Sequence, residues 1–480
     1  MANLHEKSAE FGVDVDDSVS STEAQSELSP KQQRRVIRKI DVRLVIMLGA
    51  MYMISLLDRT NMGQANVSGM NKELNLTGYR YNIISLTLFF PYIAFQPLAA
   101  FLIRKIGPRV FLSTSTLLWG SVVIGMGFVT TWNTMAGIRA ILGALEAGSF
   151  SGYVYLLSTW YERYEVGKRY ALFFILGSVA QGLSGILSYG LIQMDGLGGV
   201  SGWRWILIME GIITCVIAFL GFIFLISFPD EVPDNSKFLT PTERDWLIKK
   251  VKDDRGDVHI EPFSLKKFFA AGLDIKIWCY GLIYFGTTTI LYSIALFGPL
   301  ILRNTLNFSV AASNLLIAPP FAFGAIINYV NGWYGDKYKQ RAGPIIFNMV
   351  LCIIGLSMLG WTKNPWVRYA GMFPLTAGAT SNGSASITYQ ANNIRGQWKR
   401  SFCSATIIGM GGIGGIAGAV VFRSQDVPHY HPGLWACMAC ALMNIVIVCG
   451  LTIRLRFENR RADREGTAIE GENDGFRYTI

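Results

Sequence analysis

The chain reads as an all-α membrane protein, with twelve transmembrane helices arranged as two six-helix bundles around a central cavity. Three observations predict this class. Of the 480 residues, 51% are hydrophobic and only 16% are charged, and the mean hydropathy is positive; that is too apolar for a soluble protein of this size. Apolar runs of about 20 residues recur along the chain, the length that a helix rising about 1.5 Å per residue needs to cross the hydrocarbon core. The longest polar connection lies near the middle and divides the runs into two sets of six.

The elements follow in order. Residues 1–40 open with an acidic, Ser-rich head without an apolar h-region, which predicts a disordered tail and no cleaved signal peptide. The first bundle, 41–228, holds spans at 43–66, 81–103, 110–130, 134–157, 170–193 and 203–228. The polar linker is 229–273. Within it, Thr240-Pro241-Thr242-Glu243 has the form of a capping box with proline at the first helical position, so a short surface helix is expected to start there. The second bundle, 274–456, holds spans at 274–301, 311–334, 343–361, 367–391, 402–422 and 433–454, and 457–480 form a tail. Two six-helix halves joined by a polar linker are the layout of transporters built from repeated bundles.

Orientation follows from lysine and arginine. Lys31, Arg34, Arg35, Arg38, Lys39 and Arg43 precede the first span; Arg104, Lys105 and Arg109 separate the second and third; Arg163, Lys168 and Arg169 separate the fourth and fifth. Lys337, Lys339 and Arg341, then Arg395, Lys399 and Arg400, then Arg454, Arg456, Arg460 and Arg461 continue the alternation. Every second connection is basic, which places both termini in the cytosol. Asn75-Leu-Thr77 in the first opposite-side loop is a glycosylation acceptor by pattern. The same alternation accounts for the net charge of +10, so lipid and not nucleic acid is the expected partner of the basic segments.

Two apparent motifs dissolve in context. The seven cysteines lie mostly in apolar runs at irregular spacings, so they read as small buried hydrophobes and neither a disulfide framework nor a metal site. Gly409, Gly411 and Gly414 spell G-x-G-x-x-G, but the run lies inside the eleventh span with no preceding strand. Gly411 with Gly415, and Gly414 with Gly418, instead place small residues one turn apart for close helix packing. No nucleophile, metal or phosphate site emerges, so neither an enzyme nor a cofactor is expected.

The membrane-embedded charges carry the functional reading. Asp58 and Arg59 fall near the middle of the first span, in "SLLDRTN". In the fourth span, Arg139 and Glu146 stand seven residues apart, nearly two turns, so they share one helix face roughly 10 Å apart. Charges at such depth cost several kcal/mol unless they pair or line a wet cavity. Asp58 with Arg139, and Arg59 with Glu146, could pair simply to lock helices together. A functional role is favoured because arginines do not release protons and so supply fixed positive charge for an anion, whereas the carboxylates Asp58 and Glu146 can exchange protons. The histidines, His5, His259, His429 and His431, all lie in tails or loops. Glu210 and Arg204, near the outer end of the sixth span, read as anchoring residues.

These residues resemble a known family. "LLDRTNMGQAN" looks like the first-helix signature of the anion:cation symporter branch of the major facilitator superfamily, and Arg139 with Glu146 matches that branch's fourth-helix arginine and acid. "LEAGSFSGYVYLLSTWYERYEVGKRYALFF", "GWRWILIMEGIITC", "FPDEVPDNSKFLTPTERDW" and "NNIRGQWKRSFCSATIIGMGGIGGIAGAVVFRSQDVPHY" are similar to the fungal allantoate permease and nicotinate transporter group. The chain departs from the pattern in carrying Ser151 where the family often has proline, which predicts a softer kink. The loop motif is degraded at "LIRKIGPR" but "GDKYKQR" keeps Asp336 and Arg341, so the gating contact between halves is expected to be asymmetric.

The resemblance implies the major facilitator fold and import of a small organic carboxylate with protons by alternating access. It makes Arg59 the anion contact, has Arg139 hold and tune Glu146, and gives Glu146 and Asp58 the coupling proton. Tyr92 in the second span and Gln181 in the fifth are candidate substrate contacts. Among the neutral groups of the second half, Thr287, Thr288, Thr289, Tyr292, Asn328, Asn331, Asn382 and Gln390, helix-to-helix hydrogen bonds are the expected role, with Asn382 alone a substrate contact. The expected substrate is nicotinate or a related pyridine carboxylate, with allantoate, another ureide or a vitamin as the alternative. An exporter of an acidic metabolite working as a proton antiporter, or a nutrient sensor, remains open on the same scaffold. The expected setting is a monomer in the plasma membrane.

Overall fold

In the computed structural model, residues 28–161, 163–231, 238–255, 270–304, 306, 308–394, 397–427, 429–466 and 477–480 are described, and among them the regular elements are helices, with no strand. The first helix runs over Pro30–Glu73 with a kink at Gly69, where φ is 123°, longer at both ends than 43–66. Its start corrects the expected disordered tail, because the Ser29 side chain accepts from the Gln32 amide while the Gln32 side chain accepts from the Ser29 amide. That capping box, with Pro30 at the first position, satisfies the free N–H groups of the first turn. Residues 1–27 of the expected tail lie outside the described residues.

The other spans fall near their expected places. The second is Arg80–Ala94 followed by Gln96–Ile106, with a bend of 48° between Arg80–Ala94 and Gln96–Ile103; Pro97 has no N–H to continue the ladder across that joint. The first half continues with Pro108–Met126, Trp132–Glu146 resumed as Ser149–Trp160, Arg163–Ile192 and Gly202–Phe224. The second half comprises Ile275–Asn304, Val310–Leu315 with Ala318–Tyr338, Ala342–Trp361, Pro365–Asn393, Gln397–Val421 and His431–Glu465. Among the described residues, ten of these helices are long and apolar enough to cross a membrane, and eleven with the bent second pair. Pro365–Asn393 falls below that threshold because Thr380, Ser381, Asn382, Ser384 and Ser386 interrupt its apolar run.

The fourth span breaks at Ala147–Gly148 without the family's proline. Gly148 is pressed against neighbours, so that a Cβ there would lie 2.5 Å from the Ala99 Cβ. Ser151 donates to the Gly148 carbonyl at 3.3 Å just beyond the break.

Within the first half, the fifth helix packs on the first, the sixth on the third and first, and the fourth on the second and third. In the second half, the seventh packs on the tenth, eleventh and twelfth, the ninth on the tenth and twelfth, and the eighth on the tenth. The halves meet where the fifth helix faces the eighth, the first faces the seventh and the second faces the eleventh. The glycine run explains two of these approaches. A Cβ on Gly414 would lie 2.1 Å from Thr288 Oγ1 and one on Gly418 would lie 2.8 Å from the Thr289 carbonyl, so the eleventh helix seats directly on the seventh. Gly412 and Gly415 do the same toward Ile93 and Phe89 of the second helix. Close packing through small residues is what the sequence spacing predicted.

Contacts between the halves gather at the end opposite the chain termini. Tyr81 donates to the Leu296 carbonyl at 3.0 Å, and Asn82 donates to the Ala419 and Phe422 carbonyls at 2.8 and 2.7 Å. Gly63 sits against the Leu296 carbonyl and Gly185 against that of Asn314. This end of the molecule is closed.

In the linker, the expected helix is present as Pro241–Arg255 with its capping box formed: the Thr240 amide donates to Glu243 at 3.1 Å and the Glu243 amide to Thr240 Oγ1 at 3.3 Å. Glu243 also pairs with Lys39 at 3.1 Å, which fastens the linker to the extension of the first helix. Burial tends to raise the Glu243 carboxyl, but the Thr240 N–H and the Lys39 ammonium outweigh it and hold it below its ordinary value of 4.5. A carboxyl held low when docked stabilises docking above the ordinary value, and the contribution is lost as pH falls through the depressed one. Amide protection over 241–255, corrected for intrinsic exchange, is therefore expected to drop between about pH 5 and pH 3, and Glu243→Gln to flatten that dependence. Undiminished protection in the unaltered protein across this window would contradict the assignment.

Candidate functional site

A cavity lies between the halves, on the terminus side of the closing contacts. Counted together with the solvent at its open mouth, the space amounts to about 1000 Å³. Its walls carry several aromatic rings, with Tyr52, Phe89, Tyr92, Phe174, Tyr284 and Tyr292 among the lining side chains; Arg59 is the one charged residue among the described lining residues.

The helix geometry of the first span sorts its two charges. Adjacent residues diverge by about 100°, whereas residues four apart share a face. Ser55 and Arg59 therefore look into the cavity together, and both line it. Asp58 points elsewhere and is only 1% exposed. Arg59 donates through Nε and Nη2 to Glu146 Oε2 at 3.2 and 3.1 Å, and the Ser55 hydroxyl donates to Glu146 Oε1. Among the described residues, Glu146 is thus gripped from the first helix. The other arm of Arg59 donates from Nη1 to the Tyr292 hydroxyl across the cavity. The guanidinium also lies 4.9 Å from the Tyr92 ring centre and 5.9 Å from that of Tyr292, within cation–π range. One cation is therefore shared by a buried carboxylate of the first half, a phenol of the second and two aromatic faces.

Arg139 does not reach Glu146. Its Nη1 donates to the main-chain carbonyl of Asp58 at 3.1 Å, although the two residues share a face of the fourth helix. The Asp58 side chain forms no ion pair with Arg139 among the described residues either; the Trp119 indole N–H is its polar neighbour, outside good hydrogen-bond geometry. Glu210, Glu146 and Arg139 are among the charged groups near it.

The remaining candidates divide. Tyr92 and Gln181 line the cavity. Asn382 does not: it is fully buried and donates to Thr287 at 2.6 Å, a helix-to-helix bond like Asn331 to Asn348 at 2.6 Å and Ser384 to Asn328 at 2.6 Å. Tyr292, expected to serve only helix-to-helix hydrogen bonding, instead lines the cavity and accepts from Arg59, and Thr288 lines it one turn away. Glu210 and Arg204 are six residues apart, on different faces. Glu210 accepts from Asn61 at 2.8 Å, while Arg204 holds Glu73 at 3.1 Å and donates to the Gly127 and Val129 carbonyls at 2.9 and 2.8 Å. Asp336 and Arg341 pair at 2.6 Å in the second half.

Ser55 was not singled out from the sequence. Its position one turn before Arg59 was the available signal, since a hydroxyl there necessarily shares the arginine's face.

Two bundles of six helices around a cavity with one buried arginine at its centre define a membrane carrier for small solutes. The profile of the Major Facilitator Superfamily matches residues 48–452, and the chain belongs to that family. It is not an enzyme. It is 30% identical over 441 residues to the major facilitator-type transporter hxnP of Emericella nidulans, covering 90% of this chain and 88% of that protein. It is 24% identical to the high-affinity nicotinic acid transporter of Saccharomyces cerevisiae, over 98% of this chain and 86% of that one. Among solved structures, the xylose transporter XylE of E. coli superposes with a TM-score of 0.64 at 12% identity, covering 85% of this chain and 97% of that one. A bacterial homologue of the human lysosomal transporter Spinster gives 0.61 at 13%, covering 89% and 96%.

Proposed function

We propose that this protein imports nicotinate or a related pyridine carboxylate together with protons, by alternating access across the plasma membrane, as a monomer with both termini in the cytosol. The observation that carries this reading is Arg59: it is the one charge among the described residues that line the cavity, it is held by an acid, and aromatic rings frame it. A flat aromatic acid matches both features, with its carboxylate on the guanidinium and its ring between Tyr92 and Tyr292. An allantoate-like ureide would use the arginine and leave the aromatic walls without a partner. The name of the yeast relative supports the same substrate class.

Coupling follows from the shared cation. While Glu146 is ionised it occupies two donors of Arg59. A proton on Glu146 removes its charge and loosens that grip, so the anion can take the guanidinium; anion and proton then favour each other's binding. Asp58 is the second carboxylate proposed to carry a proton, and Arg139 positions it through the main chain. Because the end opposite the termini is closed, this state would open to the cytosol, and rocking of one half on the other would present the same site to the outside.

Cells expressing the protein are expected to accumulate labelled nicotinate, with an excess of unlabelled nicotinate competing much better than allantoate or pantothenate and a proton uncoupler abolishing accumulation. Competition by allantoate as strong as that by nicotinate, or accumulation indifferent to the uncoupler, would refute the respective part of the proposal.

A further inference from the structure

At the terminus-side end of the second half, residues Arg477–Ile480 lie as an extended segment against the helix ends. Two asparagines read its main chain. The Tyr478 amide donates to Asn459 Oδ1 at 2.9 Å and the Tyr478 carbonyl accepts from Asn459 Nδ2 at 2.9 Å. The Thr479 amide donates to Asn393 Oδ1 at 2.7 Å and the Thr479 carbonyl accepts from Asn393 Nδ2 at 2.9 Å. In an extended chain, consecutive residues present their N–H and C=O to opposite edges. The two carboxamides therefore stand in for the neighbouring strands of a sheet, one on each edge. The Ile480 carbonyl accepts from the Arg341 amide at 2.7 Å.

Side chains complete the fit. Tyr478 is only 4% exposed and packs with Leu455 and Ala462 in the same apolar cluster. Lys276 donates to its hydroxyl at 2.6 Å, with the ammonium 4.5 Å from the ring centre. Arg477 pairs with Asp463 at 2.6 Å. The partners come from the start of the seventh helix, the turn before the ninth, the end of the tenth and the extension of the twelfth.

We propose that these residues form a peptide-docking groove whose occupant is Arg477–Ile480, and that the docked segment is a strap clasping four helix ends of the second half. Reading of main-chain groups on both edges makes the groove a site for any short extended peptide, and the Tyr478 slot and Asp463 select an Arg-Tyr pair. The contacts named here lie inside one half, so rocking between the halves leaves them unchanged, and they stabilise the half without favouring either state. The inference is independent of which solute is carried.

Amide exchange on the full chain tests this first. The Tyr478 and Thr479 amides are expected to exchange at least about 10-fold more slowly than in an unstructured peptide, and Asn459→Ala to release that of Tyr478. Exchange at the unstructured rate in the unaltered protein would overturn the proposal. Deletion of residues 477–480 is expected to lower the thermal unfolding midpoint by roughly 5 °C. Adding the peptide Gly-Phe-Arg-Tyr-Thr-Ile to that variant should restore the midpoint saturably, while its scrambled form should not. An unchanged midpoint on deletion, or equal rescue by the scrambled peptide, would equally overturn it.

Discussion

Arg59→Ala is expected to reduce nicotinate uptake by about 100-fold or more with surface abundance intact, the loss that follows from removing a bidentate, charge-assisted contact of roughly 3 kcal/mol. The substitution also strands Glu146, which the arginine holds at 3.1 Å in a site where the acid is 1% exposed. Breaking a buried pair from one side costs about 3–5 kcal/mol when the remaining group stays charged. Glu146 can escape that cost by binding a proton, and Arg59→Ala with Glu146→Gln removes the question altogether. The double variant should be well folded and equally inactive. Arg59→Lys keeps the charge but not the planar fork, so most of the loss should persist. Wild-type uptake by any of the three at normal abundance would remove Arg59 from the anion site.

Glu146→Gln is expected to separate exchange from accumulation. The amide resembles the protonated acid in shape and neutrality, so Arg59 stays available and labelled nicotinate should still exchange against internal nicotinate. Accumulation driven by a proton gradient should vanish, because the group whose charge competes for Arg59 no longer titrates. Its Ser55 contact predicts the same phenotype in weaker form for Ser55→Ala, since only one of the acid's restraints is lost. Persistent proton-driven accumulation in Glu146→Gln would transfer the coupling role to Asp58, the other acid buried beside the site and without an ion pair among the described residues.

Features set by local chemistry were legible in the sequence. The capping box at Thr240 and the glycine spacing at 411–418 depend on residues within a turn or two, and both took the form their patterns predict. The burial of Asp58, Arg59, Arg139 and Glu146 was legible too, because a charge in an apolar run has few physical explanations. What was not legible was partner choice between helices. Arg139 and Glu146 share a helix face, yet the crossing of the first and fourth helices brings Glu146 to Arg59 and leaves Arg139 on the Asp58 carbonyl. The same holds for Tyr292 and Asn382. Both are polar residues in apolar helices, and only the rotation of the seventh and tenth helices puts the phenol in the cavity and the amide against Thr287. The docking of Arg477–Ile480 had no periodicity to announce it, since its contacts join residues 86 and 19 positions apart.

The claim at the centre of this account is that Arg59 is handed from Glu146 to the substrate when Glu146 takes a proton. Calorimetric titration of the purified protein with nicotinate, in buffers of different ionisation enthalpy near neutral pH, counts that proton directly. The account predicts uptake of up to about one proton per nicotinate bound in the unaltered protein and none in Glu146→Gln. Nicotinate binding without proton uptake in the unaltered protein, or the same uptake in Glu146→Gln, would contradict it.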